Sequence, residues 1–104
     1  MKNIFIFVYF LTFLTFLHSE AESGKMSYSA QQWLEKGNSY YLKRKFFDAI
    51  DCYTEAIEIN PDFAEAYYNR GRSYQYINKH EKAIEDFAVS AKLDKKYQNI
   101  LSEI

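Results

Sequence analysis

The second half of the chain restates the first at a fixed interval. When Gly37 is laid on Gly71, 34 residues on, Ser39 falls on Ser73 and Tyr40 on Tyr74. Lys45, Ala49 and Ile50 fall on Lys79, Ala83 and Ile84. Conservative pairs fill much of the rest: Trp33 with Tyr67, Lys36 with Arg70, Asp51 with Glu85, Tyr53 with Phe87, Ala56 with Ser90, Ile59 with Leu93. A chain that repeats at a period of this order builds one supersecondary unit more than once and buries its apolar faces by stacking the copies.

The period and the coinciding residues resemble the tetratricopeptide repeat (TPR) family. In the first unit Trp33, Gly37, Tyr40, Ala49, Tyr53, Ala56 and Pro61 have that family's residue types at its spacing. In the second unit Tyr67, Gly71, Tyr74, Ala83 and Phe87 do, whereas Ser90 and Lys95 depart from the usual alanine and proline. Any one of these residues is a weak signal; twelve in phase across two units are specific. The resemblance implies an all-α fold of α-solenoid type: two helix–turn–helix repeats, residues 30–63 and 64–97, giving four antiparallel helices.

The expected helices are Ser29–Leu42, Phe46–Ile59, Asp62–Tyr76 and His80–Leu93. Ser29 followed by Gln32 reads as a capping box, and Asn78 followed by Glu81 reads the same way for the fourth helix. Pro61 ends the second helix, because it supplies no amide donor and biases Asn60 away from helical backbone. Gly37 and Ala49, and then Gly71 and Ala83, lie where the helices of each unit should cross. The glycines' helix-breaking cost, about 1 kcal/mol each against alanine, is offset by close approach. Trp33, Tyr40 and Tyr53 fill the space around one crossing, and Tyr67, Tyr74 and Phe87 the other.

The two ends differ from the repeats. Met1–Asn3 is charged, residues 4–17 are almost wholly apolar, and His18–Ala21 is polar with small Ser19 and Ala21. That order is the expectation for a secretory signal, residues 1–21, cleaved after Ala21 and followed by a linker over 22–28. The protein would then be exported to a periplasm, secretory lumen or extracellular space. Two other readings stand beside it. The run could be an uncleaved membrane anchor, although 14 apolar residues fall short of the roughly 20 that a spanning helix needs. Translation could also begin at Met26 and leave the protein cytosolic. At the other end Tyr97, Ile100, Leu101 and Ile104 recur at helical spacing. Residues 98–104 read as a short capping helix over the fourth helix, as the start of a truncated third repeat, or as a dimer contact. Two repeats are a short stack for a self-sufficient core, which gives that segment weight.

What the resemblance implies about function is a non-enzymatic module for binding a peptide or protein. In this family the first helix of each unit lines a concave groove. Carried onto this chain, that face is Gln31, Leu34, Glu35, Asn38, Tyr41 and Leu42, then Glu65, Tyr68, Asn69, Arg72, Gln75 and Tyr76. The candidate site within it is Leu34, Asn38, Tyr41, Glu65, Tyr68, Asn69, Arg72 and Tyr76. Asparagine amides pair with both backbone polar groups of an extended peptide, tyrosines give broad contact surface, and Arg72 could hold a carboxylate. These residues could equally be only solvated, with binding elsewhere or through the last helix. Some members of the family grip the terminal carboxylate of cytosolic chaperones with a lysine, two asparagines and two cations of a third repeat. Asn38 and Asn69 match that pattern, but Leu34 stands where the first lysine belongs and Asn99 and Glu103 where the later cations belong. A self-assembling module, oligomerising through exposed faces of its terminal helices, is the alternative to a binding adaptor.

Other chemistry finds little footing. Of 13 Lys plus Arg and 14 Asp plus Glu, only Lys2 and Glu20 precede Ala21, so the remainder is close to balanced. Nothing there draws nucleic acid, or a membrane unless residues 4–17 stay attached. Cys52 is the only cysteine; it cannot form an intrachain disulfide and reads as a packing residue. No phosphate loop, HExxH, paired-cysteine or GxSxG motif occurs. His80 reads as a surface or turn residue. Asp48/Asp51, Glu55/Glu58 and Glu85/Asp86 read as solvated helix faces. No catalytic residue, cofactor or metal is therefore expected.

Overall fold

The computed structural model describes residues 27–103. The expected signal (1–21), the apolar run 4–17, Met26 and most of the 22–28 linker lie outside the described residues, as does Ile104. Within them the chain forms α1 (Ala30–Leu42), α2 (Phe46–Ile59), α3 (Ala64–Tyr76), α4 (His80–Leu93) and a 3-10 helix, η1 (Lys95–Ser102). No strand occurs among the described residues. The helices pack as two antiparallel hairpins, α1 with α2 and α3 with α4, joined across α2 and α3. The fold is all-α, as the sequence implies.

Local chemistry explains the boundaries. Ser29 caps α1 with a reciprocal box: its Oγ accepts the Gln32 N–H at 3.2 Å, and Gln32 Oε1 accepts the Ser29 N–H at 2.9 Å. α3 opens at Ala64 instead of Asp62, because the chain first makes a turn. Asn60 Oδ1 takes the Asp62 N–H at 3.1 Å and the Asn60 carbonyl takes the Phe63 N–H at 3.2 Å. The box expected at Asn78 does not form. Asn78 has φ 62° and belongs to the α3–α4 turn, leaving Lys79 as a cap without a side-chain bond. Arg44 holds the same left-handed backbone, φ 61°, at the same point of the first hairpin.

Close approach is real at both crossings. A Cβ on Gly37 would lie 2.5 Å from Tyr53 Cε1, and one on Gly71 2.8 Å from Phe87 Cε1 and 3.2 Å from the Ala83 carbonyl oxygen. Ala49, Tyr53, Ala56, Ala66 and Leu34 form the buried cluster, with Trp33, Tyr40, Tyr41, Ile57 and Phe63 packed around it. Cys52 is buried, a packing residue as its surroundings require.

One polar contact holds three helices together. Arg70 on α3 donates through Nε and Nη2 to both carboxylate oxygens of Asp86 on α4, each at 2.8 Å. Its Nη1 reaches Thr54 Oγ1 on α2 at 3.2 Å. Asp86 is thus buried and paired, a correction to its reading as a solvated surface acid beside Glu85. The first unit has Lys36 and Cys52 at the corresponding places, and there Lys36 Nζ lies instead over the Trp33 and Tyr28 rings.

The C-terminal segment turns helical earlier than expected, at Lys95, and is a 3-10 helix packed on α4. Its entry reproduces the turn between the repeats. Asp94 Oδ1 takes the Lys96 N–H at 3.0 Å and the Asp94 carbonyl the Tyr97 N–H at 3.1 Å, as Asn60 does for Asp62 and Phe63. Tyr97 therefore occupies the place of Phe63, and its buried ring stacks on Tyr68 at 4.8 Å.

Candidate partner-binding groove

The faces of α1 and α3 are stitched together by asparagines. Asn38 Oδ1 accepts two hydrogen bonds, from Tyr53 Oη at 2.7 Å and from Asn69 Nδ2 at 2.9 Å. The first comes from within its own hairpin and the second crosses between repeats. Asn38 and Asn69 are thereby fixed in orientation while remaining half-buried. Beside them opens a pocket of about 210 Å³, lined by Asn38, Tyr41, Leu42, Tyr53, Asn69 and Arg72.

Arg72 is the charge of this site. Its guanidinium lies over the Tyr41 ring at 5.3 Å and the Tyr68 ring at 5.8 Å. It makes no ion pair among the described residues. Tyr41 supplies an unsatisfied group: its hydroxyl is buried and completes no hydrogen bond of good geometry. Burial raises its phenol pKa above the usual value; the nearby Tyr76 hydroxyl adds to the rise and Arg72 opposes it. Tyr76 meets Tyr41 edge-on at 5.7 Å and stacks on Phe46 at 4.5 Å. With Arg72 and Gln75 it lines a second depression.

Of the eight residues expected at the site, Asn38, Tyr41, Asn69 and Arg72 line one pocket and Tyr76 borders the next. Tyr68 flanks Arg72 and supports Tyr97. Glu65 is exposed in the first turn of α3 and does not line the pocket. Leu34 is a correction. It is 1% exposed, held among Ala49, Tyr53, Ala56 and Ala66, and faces the core instead of the groove. Tyr53 joins the site although its type and spacing mark it as a core residue: its ring belongs to the helix crossing, but its hydroxyl reaches through to Asn38. Phe46 and Tyr97, which lie outside the two first helices, also enter the aromatic surface.

His80 and Cys52 do not line this pocket. His80 is exposed at the start of α4. Burial raises the Cys52 thiol pKa and so disfavours its nucleophilic thiolate form. Among the described residues no group of three His, Cys, Asp or Glu converges on a point.

Comparison with known proteins agrees with the hairpins. A family match described as "TPR repeat" covers residues 37–77, and one described as "Tetratricopeptide repeat" covers residues 64–97. The chain is 34% identical over 77 residues to the mitochondrial import receptor subunit TOM70 of Rattus norvegicus, covering 69% of this chain and 13% of that protein. It is 34% identical over 65 residues to DnaJ homolog subfamily C member 7 of Mus musculus, covering 62% and 13%. It is 32% identical over 85 residues to the Hsp70-Hsp90 organizing protein 2 of Arabidopsis thaliana, covering 73% and 15%. Each match thus spans a small part of the relative's own length. Among solved structures, the crystal structure of MamA superposes with a TM-score of 0.64 at 30% identity, over 64% of this chain and 39% of that one. With the two family matches together covering residues 37–97, over the observed hairpins, the chain belongs to the tetratricopeptide-repeat family.

Proposed function

We propose that this chain is a non-enzymatic interaction module that holds an extended peptide or protein segment in the groove between α1 and α3. The observation that carries this reading is the pocket beside Asn38 and Asn69. Their mutual bond leaves the Asn38 side-chain N–H groups and the Asn69 side-chain oxygen Oδ1 without partners among the described residues. Those are the donor and acceptor that an extended backbone needs. Arg72 and the Tyr41 hydroxyl stand beside them, also unpaired. Chaperone binding, which the names of some relatives suggest, is not carried over: Leu34 is buried where a cation would be required.

The test is selection of binding peptides on the full chain from a displayed library, followed by titration calorimetry. Asn69→Ala should weaken a selected peptide by about 1–3 kcal/mol, the cost of leaving a buried polar group unpaired. Arg72→Ala should weaken acidic peptides most, and by less at high salt. A folded double variant that binds as tightly as the wild type moves the site off the groove.

Self-assembly through a terminal face is favoured by a different observation. Ile84 on α4 is 46% exposed where Ile50, its counterpart on α2, is 9% exposed beneath the second repeat. Sedimentation velocity across a dilution series decides this reading; a monomer at all concentrations removes it. Export after cleavage at Ala21 is part of the proposal, and N-terminal sequencing of the mature protein tests it. Met1 retained on a membrane-bound form would favour the anchor, and a start at Met26 the cytosol.

A further inference from the structure

The tips of the two hairpins lie side by side at one end of the domain. Phe46, at the start of α2, stacks on Tyr76, in the last turn of α3, with ring planes 2° apart. Arg44 lies over both rings at 5.8 and 5.7 Å. This end is basic. Lys43, Arg44 and Lys45 fill the α1–α2 turn, and Lys79, His80 and Lys82 follow at the α3–α4 turn, all exposed. Asp48 and Glu81 are the acids in the first turns of α2 and α4. The opposite end is mixed: Glu58, Asp62 and Glu65 around the α2–α3 turn stand with Lys92, Asp94, Lys95 and Lys96 around the α4–η1 turn.

The first tip is also apolar. Leu42 and Phe47 flank the three cations and are 81% and 69% exposed, more than any other large hydrophobic side chain described. Hairpin geometry does not require Phe47, because Glu81 occupies the same place in the second hairpin. Nor does the core hold it. Single exposed hydrophobics are ordinary. Two of them on a protruding turn around consecutive cations have the make-up of an interfacial anchor, in which apolar side chains enter the head-group boundary and cations meet anionic lipid.

We propose that this tip docks the domain on an anionic membrane surface, with Lys43, Lys45 and Lys79 against lipid head groups and Phe47 and Leu42 reaching the acyl boundary. The hollow of about 430 Å³ at the α3–α4 turn is lined by the polar and charged residues Asn78, Lys79, His80, Glu81 and Lys82 and not by Phe47, so it gives that ring no apolar seat. A flat anionic bilayer satisfies both the charge and the apolar side chains. Leu42 also lines the groove pocket, whereas Phe47, Lys43, Lys45 and Lys79 do not, so the inference rests on those four and does not need the groove's proposed role.

The test uses the full chain with Phe47→Cys carrying an environment-sensitive fluorophore. Cys52 is buried, and the wild-type chain serves as the labelling blank. The probe reports the tip itself, so the apolar run at residues 4–17 is not read in its place. Vesicles of phosphatidylcholine with phosphatidylserine should shift the emission to the blue, and vesicles of phosphatidylcholine alone should not. The response should shrink with salt. Lys43→Glu/Lys45→Glu should raise the lipid concentration at half-response by about tenfold or more, with circular dichroism unchanged. Asn69→Ala/Arg72→Ala should leave the response intact. Equal response to neutral vesicles, no response to either, or indifference to the charge reversal overturns the proposal. So does an equal shift with soluble polyglutamate, which would assign the tip to an acidic polypeptide.

Discussion

Replacing Gly37 with alanine sets two effects of similar size against each other. In an exposed helix the change stabilises by about 1 kcal/mol, because alanine loses less backbone entropy. Here the new methyl would sit 2.5 and 2.7 Å from Tyr53 Cε1 and Cδ1. Carbon contacts are favourable only near 3.5–4.0 Å, so the ring must retreat by roughly 1 Å. Tyr53 is 1% exposed and its hydroxyl is held by Asn38 at 2.7 Å, so retreat compresses the core and breaks that bond. Overpacking costs about 1–3 kcal/mol and the hydrogen bond about 1 kcal/mol, so Gly37→Ala should destabilise by about 1–3 kcal/mol net. Gly71→Ala should cost less. Phe87 has no hydroxyl to lose, although the Ala83 carbonyl at 3.2 Å cannot yield easily. Urea unfolding followed by far-ultraviolet circular dichroism measures both. The decisive comparison is Gly37→Ala on a Tyr53→Leu background, where the ring is gone and the substitution should be neutral or stabilising. Gly37→Ala as stable as the wild type, or equally harmful on both backgrounds, would refute the close-approach argument.

Asp86→Ala should destabilise by about 2–4 kcal/mol, because it leaves the Arg70 charge in a site sized for an ion pair. The estimate sits low in the range for buried pairs because the Arg70 side chain keeps 18% of its exposure. Arg70→Met/Asp86→Leu should recover part of the loss, and a single-variant change within about 0.5 kcal/mol would mean that the pair is not a constraint. Stability should also fall in alkali. Burial raises the phenol pKa values of Tyr53, Tyr41 and Tyr74 above the usual 10.0. The unfolded phenols therefore lose their protons first, so the stabilisation is complete below the unfolded pKa and is lost as pH rises through the folded values. Chemical unfolding over roughly pH 9–11 should show the decline, and Tyr53→Phe should flatten it; a flat wild-type profile would contradict the burial argument.

The helices were legible because their determinants are local and repeated. The 34-residue offset aligned Gly37 with Gly71 and Ala49 with Ala83, and the aromatic residues opposite the glycines followed. The Ser29 box was readable for the same reason, since both partners lie within one turn. Asn78 misled because the same residue type favours two competing states, a helix cap and a left-handed turn. The turn won: the backbone needed φ 62° there, as it does at Arg44. Asp86 was illegible for a different reason. Its partner is 16 residues away on another helix, and the first unit, with Cys52 in its place, gave no precedent. Leu34 shares a helical face with Asn38 and Tyr41, yet a face is broad enough to have one edge in the core and another in the groove. Periodicity alone cannot divide it.

The groove departs from the repeat where it matters for recognition. Asn38 and Arg72 hold the same position in successive units, as do Tyr41 and Gln75, and Leu42 and Tyr76. A repeated fold thus presents an unrepeated surface: neutral Asn38 beside a buried tyrosine hydroxyl on α1, and a free cation between two rings on α3. If the groove takes an extended segment, as proposed, its two ends are not equivalent. An acidic side chain near one end of the segment gains the Arg72 contact in one direction. In the reverse direction it would sit against Asn38, whose carbonyl oxygen is already committed to Tyr53 and Asn69 and whose amide offers only neutral donors. Charge-assisted bonds are roughly twice as strong as neutral ones, so the polarity of the bound chain is set by this single exchange of asparagine for arginine. Arg72→Asn would make the two positions alike in type, and a peptide with one terminal acid should then lose its preferred direction before it loses its place in the groove.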